Sequence, residues 1–169
     1  MKSTSFAVAL LGSTLVAAPA AAGDDKEEKA ASARPAAASL SHAGQLGVFT
    51  RADIEGQGRG VVGAFGLTYG IGNHVEVQAA ALMGREKGVE PGATFFILSG
   101  KWKPRVSLGL PIFIHDGGWL GVHPGAGIEW DPLRHFGLFA ELGAVLFPTT
   151  PKGYENVVFL PAIGAQARF

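Results

Sequence analysis

Five histidines, fourteen acidic side chains and no cysteine are the material for chemistry in this chain of 169 residues. The missing cysteine removes disulfides, thiol nucleophiles, cysteine-type zinc sites and a lipid anchor on sulfur. His42, His74, His115, His123 and His135 lack H-x-x-x-H or comparable ligand spacing, so no metal and no cofactor is expected. Two pairings come nearest to acid–base work: His115 beside Asp116, and His123 with Glu129 downstream. Neither has a serine close by to complete a nucleophile, a base and an orienting acid. The glycine runs 56–60 and 125–127 do not open a helix after a strand, so they do not cradle phosphate. Lysine plus arginine and aspartate plus glutamate number 14 each, which gives nucleic acid no electrostatic foothold. No catalytic, cofactor-binding or metal residue is assigned. The acids and bases need another explanation.

Their spacing supplies it. From Gly44 onward, glycine and proline punctuate the chain, and the segments between alternate with period two, as short antiparallel strands do. Eight segments qualify: 45–54, 60–70, 74–83, 94–103, 105–115, 119–130, 136–147 and 157–169. In the third, Val75, Val77, Ala79, Ala81 and Met83 oppose His74, Glu76, Gln78, Ala80 and Leu82. In the fourth, Phe96, Leu98, Gly100 and Trp102 are set against Ser99, Lys101 and Lys103. No apolar face carries a charge. The opposite faces carry Arg51, Asp53, Glu76, Lys101, Lys103, Arg105, Glu129, Glu141 and Arg168.

A soluble antiparallel sheet would bury the apolar face and wet the charged one. That alternative describes an exported barrel holding an apolar ligand in its interior. Three features point the other way. The polar faces are crowded with glycine and alanine, which suits a narrow interior. Tyr69, Trp102, Trp130, Phe136 and Phe169 stand near strand ends on the apolar faces, where interfacial girdles belong. Connections 55–59, 84–92, 115–118 and 148–156 include two long ones, whereas 70–73, 103–104 and 131–135 are tight. Short turns on one side and longer loops on the other mark a transmembrane barrel. Pro111, Pro124 and Pro161 fall inside strands and predict bulges or ends. The predicted fold is a closed antiparallel up-and-down transmembrane β-barrel of about eight strands over 44–169.

The N-terminus reads as an export signal over 1–22: Lys2, the apolar run 6–18, and small residues over 18–23 for cleavage. Residues 23–43 are charged and then rich in alanine and serine, so they predict a flexible periplasmic leader. An even strand number returns the C-terminus to the same side as that leader.

An eight-stranded interior is filled by its own side chains, so its charges must pair. Arg51, Glu76, Lys101, Arg105, Glu129, Glu141 and Arg168 are expected to form a polar network in the lumen. A hairpin centred near residue 88 or 89 would place Glu76 across from Lys101. Glu141 is the expected hub, with Arg51 or Arg168 as its partner. A gated proton or ion path is the functional alternative.

The C-terminal alternation Phe159, Pro161, Ile163, Ala165, Ala167, Phe169 ends on an aromatic. It resembles the recognition signal of outer-membrane β-barrels, which implies the barrel assembly machinery as a partner. Residues 69–78 and 130–143 are similar to the short periplasmic turns of small barrels in the OmpA/OmpX-like superfamily. This resemblance covers about 44–169. It implies an outer-membrane location and contact with lipid. The filled lumen leads to the expectation of a monomer with a structural, surface-contact or very low-conductance role and no enzymatic step; a lipid-modifying barrel enzyme is the third alternative. Surface contact would run through 84–92 and 148–156. The leader holds no peptidoglycan-binding domain, so wall anchoring is not expected.

Overall fold

The computed structural model describes residues 42–56, 60–84, 86–114, 118–149 and 155–169. The export signal, the leader up to residue 41, and His115 with Asp116 lie outside the described residues. Hydrogen-bonded segments are β1 (Leu46–Ile54), β2 (Val61–Gly70), β3 (Val75–Met83), β4 (Gly88–Phe96) and β5 (Trp102–Gly109). They continue with β6 (Ile112–Phe113), β7 (Trp119–Leu120), β8 (His123–Leu133), β9 (Phe136–Leu146) and β10 (Val157–Arg168).

These ten segments make eight staves. β6 continues β5, and β7 leads into β8, without a change of register: Leu108 meets Pro124, and Ile112 meets Leu120. The break falls at Pro111, which has no N–H to give, and Gly121 N donates to its carbonyl at 2.9 Å. Each stave pairs antiparallel with the next, and β3 also pairs with β4. β1 pairs with β10 from Gly47–Arg168 to Asp53–Ala162, which closes the wall. That ladder stops one residue short of Pro161, again where a donor is missing.

Closure fixes which face lies inside. Val77, Leu108 and Leu142 are 37%, 52% and 76% exposed, whereas Glu76 and Glu141 are 3% and 4% exposed. This is the transmembrane orientation, with apolar side chains outward and ionic ones within. Tyr69, Trp102, Trp130, Phe136 and Phe169 all face outward at the rim where β1 begins and β10 ends. Trp102 and Trp130 stack there with centroids 5.5 Å apart.

The fourth strand departs from the sequence reading. It runs 88–96, not 94–103, and the β3–β4 turn is 84–87, since Leu82 pairs with Gly88. Gly88, Pro91 and Gly92 give this strand the composition of a loop, but Glu90 points inward and Pro91 outward. The shift reverses one aromatic: Phe96 is buried inside, and Phe95 is exposed. It also turns the supposed corner at 103–104 into strand β5. The connection is 97–101 instead, with Ile97 N donating to Pro104 O at 2.9 Å. Segment 84–92 is therefore not a long loop. The β9–β10 connection, 147–156, is the longest of those on the far rim.

Depth should govern the cost of a charge on the outer wall. Leu108→Arg, mid-strand, is expected to lose about 2–4 kcal/mol, and Ile71→Arg, in a rim turn, at most about 1 kcal/mol. Urea titration of the barrel in phosphatidylcholine vesicles reads both, and equal costs would contradict a bilayer around the wall.

Candidate functional site

Inward positions of the wall bring the titratable groups into tiers. At the end where β1 begins, β10 supplies Arg168, β3 Glu76, β5 Lys103, and β8 both Glu129 and Asp131, all buried. Arg168 uses its whole guanidinium. Nε donates to Glu76 Oε1 at 2.9 Å, one terminal nitrogen to Asp131 Oδ1 at 3.3 Å, and the other to Glu129 Oε1 at 2.5 Å. Gly137 of β9 leaves room for this cluster, since a Cβ there would stand 2.6 Å from Asp131 Oδ1 and 3.3 Å from an Arg168 terminal nitrogen. Lys103 sits opposite Glu129 in the β5–β8 ladder. Its ammonium contacts Asp131 Oδ2 and His42 Nε2 and lies 3.5 Å from Glu129 Oε1.

The second tier centres on Arg105. It donates to Glu129 Oε2 and Thr94 Oγ1, both at 3.2 Å, and its Nε lies 3.2 Å from Glu141 Oε2. The guanidinium lies over the Phe139 ring, 4.4 Å from its centroid. Glu141 also accepts from Ser107 Oγ at 2.6 Å. Glu141 was expected to pair with Arg51 or Arg168, and it pairs with neither. The register sets Arg105, Gly127 and Glu141 level on neighbouring strands, and Gly125, where a Cβ would run into Glu141 Oε1 and Ser107 Oγ, leaves that carboxylate its place. Arg51 belongs to a third tier, 2.7 Å from Asp53 Oδ1 and 2.9 Å from Glu90 Oε1. His123 Nδ1 stands 3.2 Å from Glu90 Oε2 on the far side of that carboxylate.

Toward the far rim the lumen becomes apolar. Leu82, Phe113, Val145, Phe147, Val158 and Leu160 pack together there, and all but Leu82 line, with Val62, Glu55 and Glu86, a cavity of only about 40 Å³. The rings of Phe113 and Phe147 lie 6.0 Å apart. One end of the tube is thus filled by ion pairs and the other mainly by hydrocarbon, with Glu55 and Glu86 at its margin.

Of the residues singled out from sequence, Arg51, Glu76, Arg105, Glu129, Glu141 and Arg168 lie inside, divided among the three tiers. Lys101 does not. It is exposed in the 97–101 turn, because the β3–β4 register pairs Glu76 with Thr94 instead. Lys103, two positions on, occupies the inward place. Sequence reasoning missed Glu90, Asp131 and His42, having assigned them to a loop, a turn and the leader. Asp131 continues the alternation of Glu129 and was legible, but Pro132 beside it suggested a turn. On the closing strand, Phe169 and Ile163 are exposed, Ala165 and Ala167 half-buried, and Phe169 N donates to Leu46 O at 2.8 Å.

His42, Glu129 and Asp131 place ligand-type atoms within 4.8 Å of one another. The Lys103 ammonium already takes a cation's place among those atoms. The cluster is therefore complete as an ion-pair network.

No family model matches this chain, and no curated protein matches it. Solved structures do share its architecture. One, from work on de novo design of transmembrane β-barrels, is 16% identical over 75% of this chain and 97% of its own, with a TM-score of 0.59. The N-terminal β-barrel domain of Pseudomonas aeruginosa OprF is 15% identical over 75% of this chain and 98% of its own, with a TM-score of 0.57. The de novo designed TMB2.3 is 19% identical over 75% and 94%, with a TM-score of 0.55. At such identities the likeness is one of fold, and the fold is that of small transmembrane barrels.

Arg168→Met should strand three carboxylates in the lumen and destabilise the barrel by about 3–5 kcal/mol. Lys101→Met, on the exposed turn, should stay within about 0.5 kcal/mol. Urea midpoints of the refolded variants compare the two.

Proposed function

We propose that this chain is an outer-membrane barrel whose job is done by its wall and its rims and not by flow through its centre. The observation that carries this reading is the filling of the lumen. Arg168, Lys103, Glu129 and Asp131 occupy one end, and Phe113, Phe147, Val145 and Leu160 the other, all of them buried. Water does not readily cross an apolar stopper of this kind, and a tube of eight strands has no spare width beside it.

The role is structural or one of surface contact, without an enzymatic step. His123 and Ser107 each face a carboxylate inside the wall, where a large substrate has no route to them. Surface contact would run through the far-rim connections, chiefly 147–156, since 84–92 is mostly strand. The outward apolar wall fits lipid, and a chain exported by a signal over 1–22 reaches the outer membrane through the periplasm. The exposed Phe169 at the end of β10 is the group offered to the barrel assembly machinery. The protein acts as a monomer, for closure leaves no sheet edge for a second copy to extend.

Fractionation and electrical recording test this together. The full chain should partition with the outer membrane and require detergent for release. In a planar bilayer the purified protein should pass no sustained current above that of the bare membrane. Release with the periplasmic contents would overturn the location, and stable open-channel steps would overturn the sealed lumen.

A further inference from the structure

The chain enters the barrel through residues 42–45, which belong to no strand yet fold against the mouth at the end where β1 begins. Gly44 N donates to Gly70 O at 2.8 Å, Gly70 N to Gln45 O at 3.0 Å, and Gln45 N to His42 O at 3.0 Å. Gly44 turns the chain with a φ of 74°, in the left-handed region that glycine tolerates. Glycine at 70 is required as well, because a Cβ there would run into the His42 carbonyl oxygen.

This turn delivers the His42 ring into the lumen, edge-on to Phe96 from β4, with centroids 4.9 Å apart. Charged groups face it from the other neighbouring strands. Glu76 Oε1 of β3 lies 2.5 Å from Nδ1, and Asp131 Oδ2 of β8 lies 3.6 Å from Nε2. The Lys103 ammonium of β5 touches Nε2, and Arg168 of β10 stands behind Glu76.

Charge counting gives the ring a task. Among the described residues, the buried carboxylates are Asp53, Glu76, Glu90, Glu129, Asp131 and Glu141, six in all. The buried basic side chains are Arg51, Lys103, Arg105 and Arg168, only four. An unmatched charge enclosed by the wall costs several kcal/mol, so protons are the natural make-weight. Beyond the ten acids and bases, His42 and His123 are the buried side chains able to carry them. Of the two, His42 faces two carboxylates and sits on a segment outside the strand ladders, held by its turn bonds to Gly70.

We propose that His42 is a proton-strengthened latch: its charged ring, gripped by Glu76 and Asp131, pins residues 42–45 at the mouth, and loss of the proton leaves the weaker hold of a neutral ring between Glu76 and Lys103. A proton added at Nε2 turns that nitrogen toward Asp131 and displaces the Lys103 ammonium toward Glu129 Oε1, 3.5 Å away. Burial alone would lower the imidazole, but hydrogen bonds to Asp131 and Glu76 outweigh it and raise the group above its ordinary 6.5. A raised folded value means that the grip is fully present below 6.5 and is lost as pH rises through the folded value.

The test uses the full chain refolded in detergent micelles. NMR follows the His42 ring and the amide exchange of Gly44, the latter taken as a ratio to that of the strand residue Leu67. His42 should titrate above 6.5, and the Gly44 ratio should climb through the same pH range, about tenfold for each unit of elevation. In His42→Gln the ratio should stay at its high-pH level throughout. A wild-type ring titrating at or below 6.5 would refute the latch without reference to any variant. So would a ratio that follows pH equally in wild type and His42→Gln.

Discussion

Charges shut inside a closed wall have to be matched against one another, and most of this molecule is arranged to meet that requirement. A sheet that returns on itself has no edge to aggregate, but it encloses a space too narrow for solvent to compensate ions. Each buried arginine therefore works at full valence: Arg168 serves three carboxylates, Arg105 two, and Arg51 two. Where one tier meets the next, Glu129 is shared between Arg168 and Arg105. The tiers are linked, so the register of β8 against β5 and β10 is set by pairing geometry as well as by backbone bonds.

Small residues make that pairing possible. Gly125 leaves room for the Glu141 carboxylate and Ser107, and Gly137 for Asp131, Glu129 and the Arg168 guanidinium. Part of the glycine content is thus a steric consequence of placing long ionic side chains in a tube of fixed bore, and part comes from close backbone approach, as at Gly70 and Gly127. The apolar stopper at the far rim follows from the same arithmetic. With the acids and bases gathered in the lower tiers, the remaining length is filled by Phe113, Phe147 and their aliphatic neighbours.

Much of this could be read from residue order. Strict alternation in β1, β2, β3, β9 and β10 fixed the face of nearly every side chain, because the pleat allows just two choices. β4 was the exception, and the cause is local. Gly88, Pro91 and Gly92 carry turn chemistry, and Glu90 looked solvated because its partner, Arg51, is thirty-nine positions away. One misplaced hairpin then displaced Lys101, Phe96 and the 103–104 corner together, since registers propagate. Partners within the lumen were illegible for a different reason. Which arginine meets Glu141 depends on the stagger between strands, and alternation carries no information about stagger. His42 was hidden because residues outside strands have no period to read.

The seam between β1 and β10 joins the first strand to the last, from Gly47–Arg168 onward, with Phe169 bonded to Leu46. β10 must therefore be made before the cylinder can shut. Until then β1 waits with one flank unpaired, and no partial product that stops short of β10 has a complete wall. Closure is consequently a single late event, the arrival of β10 beside β1, and not a gradual narrowing.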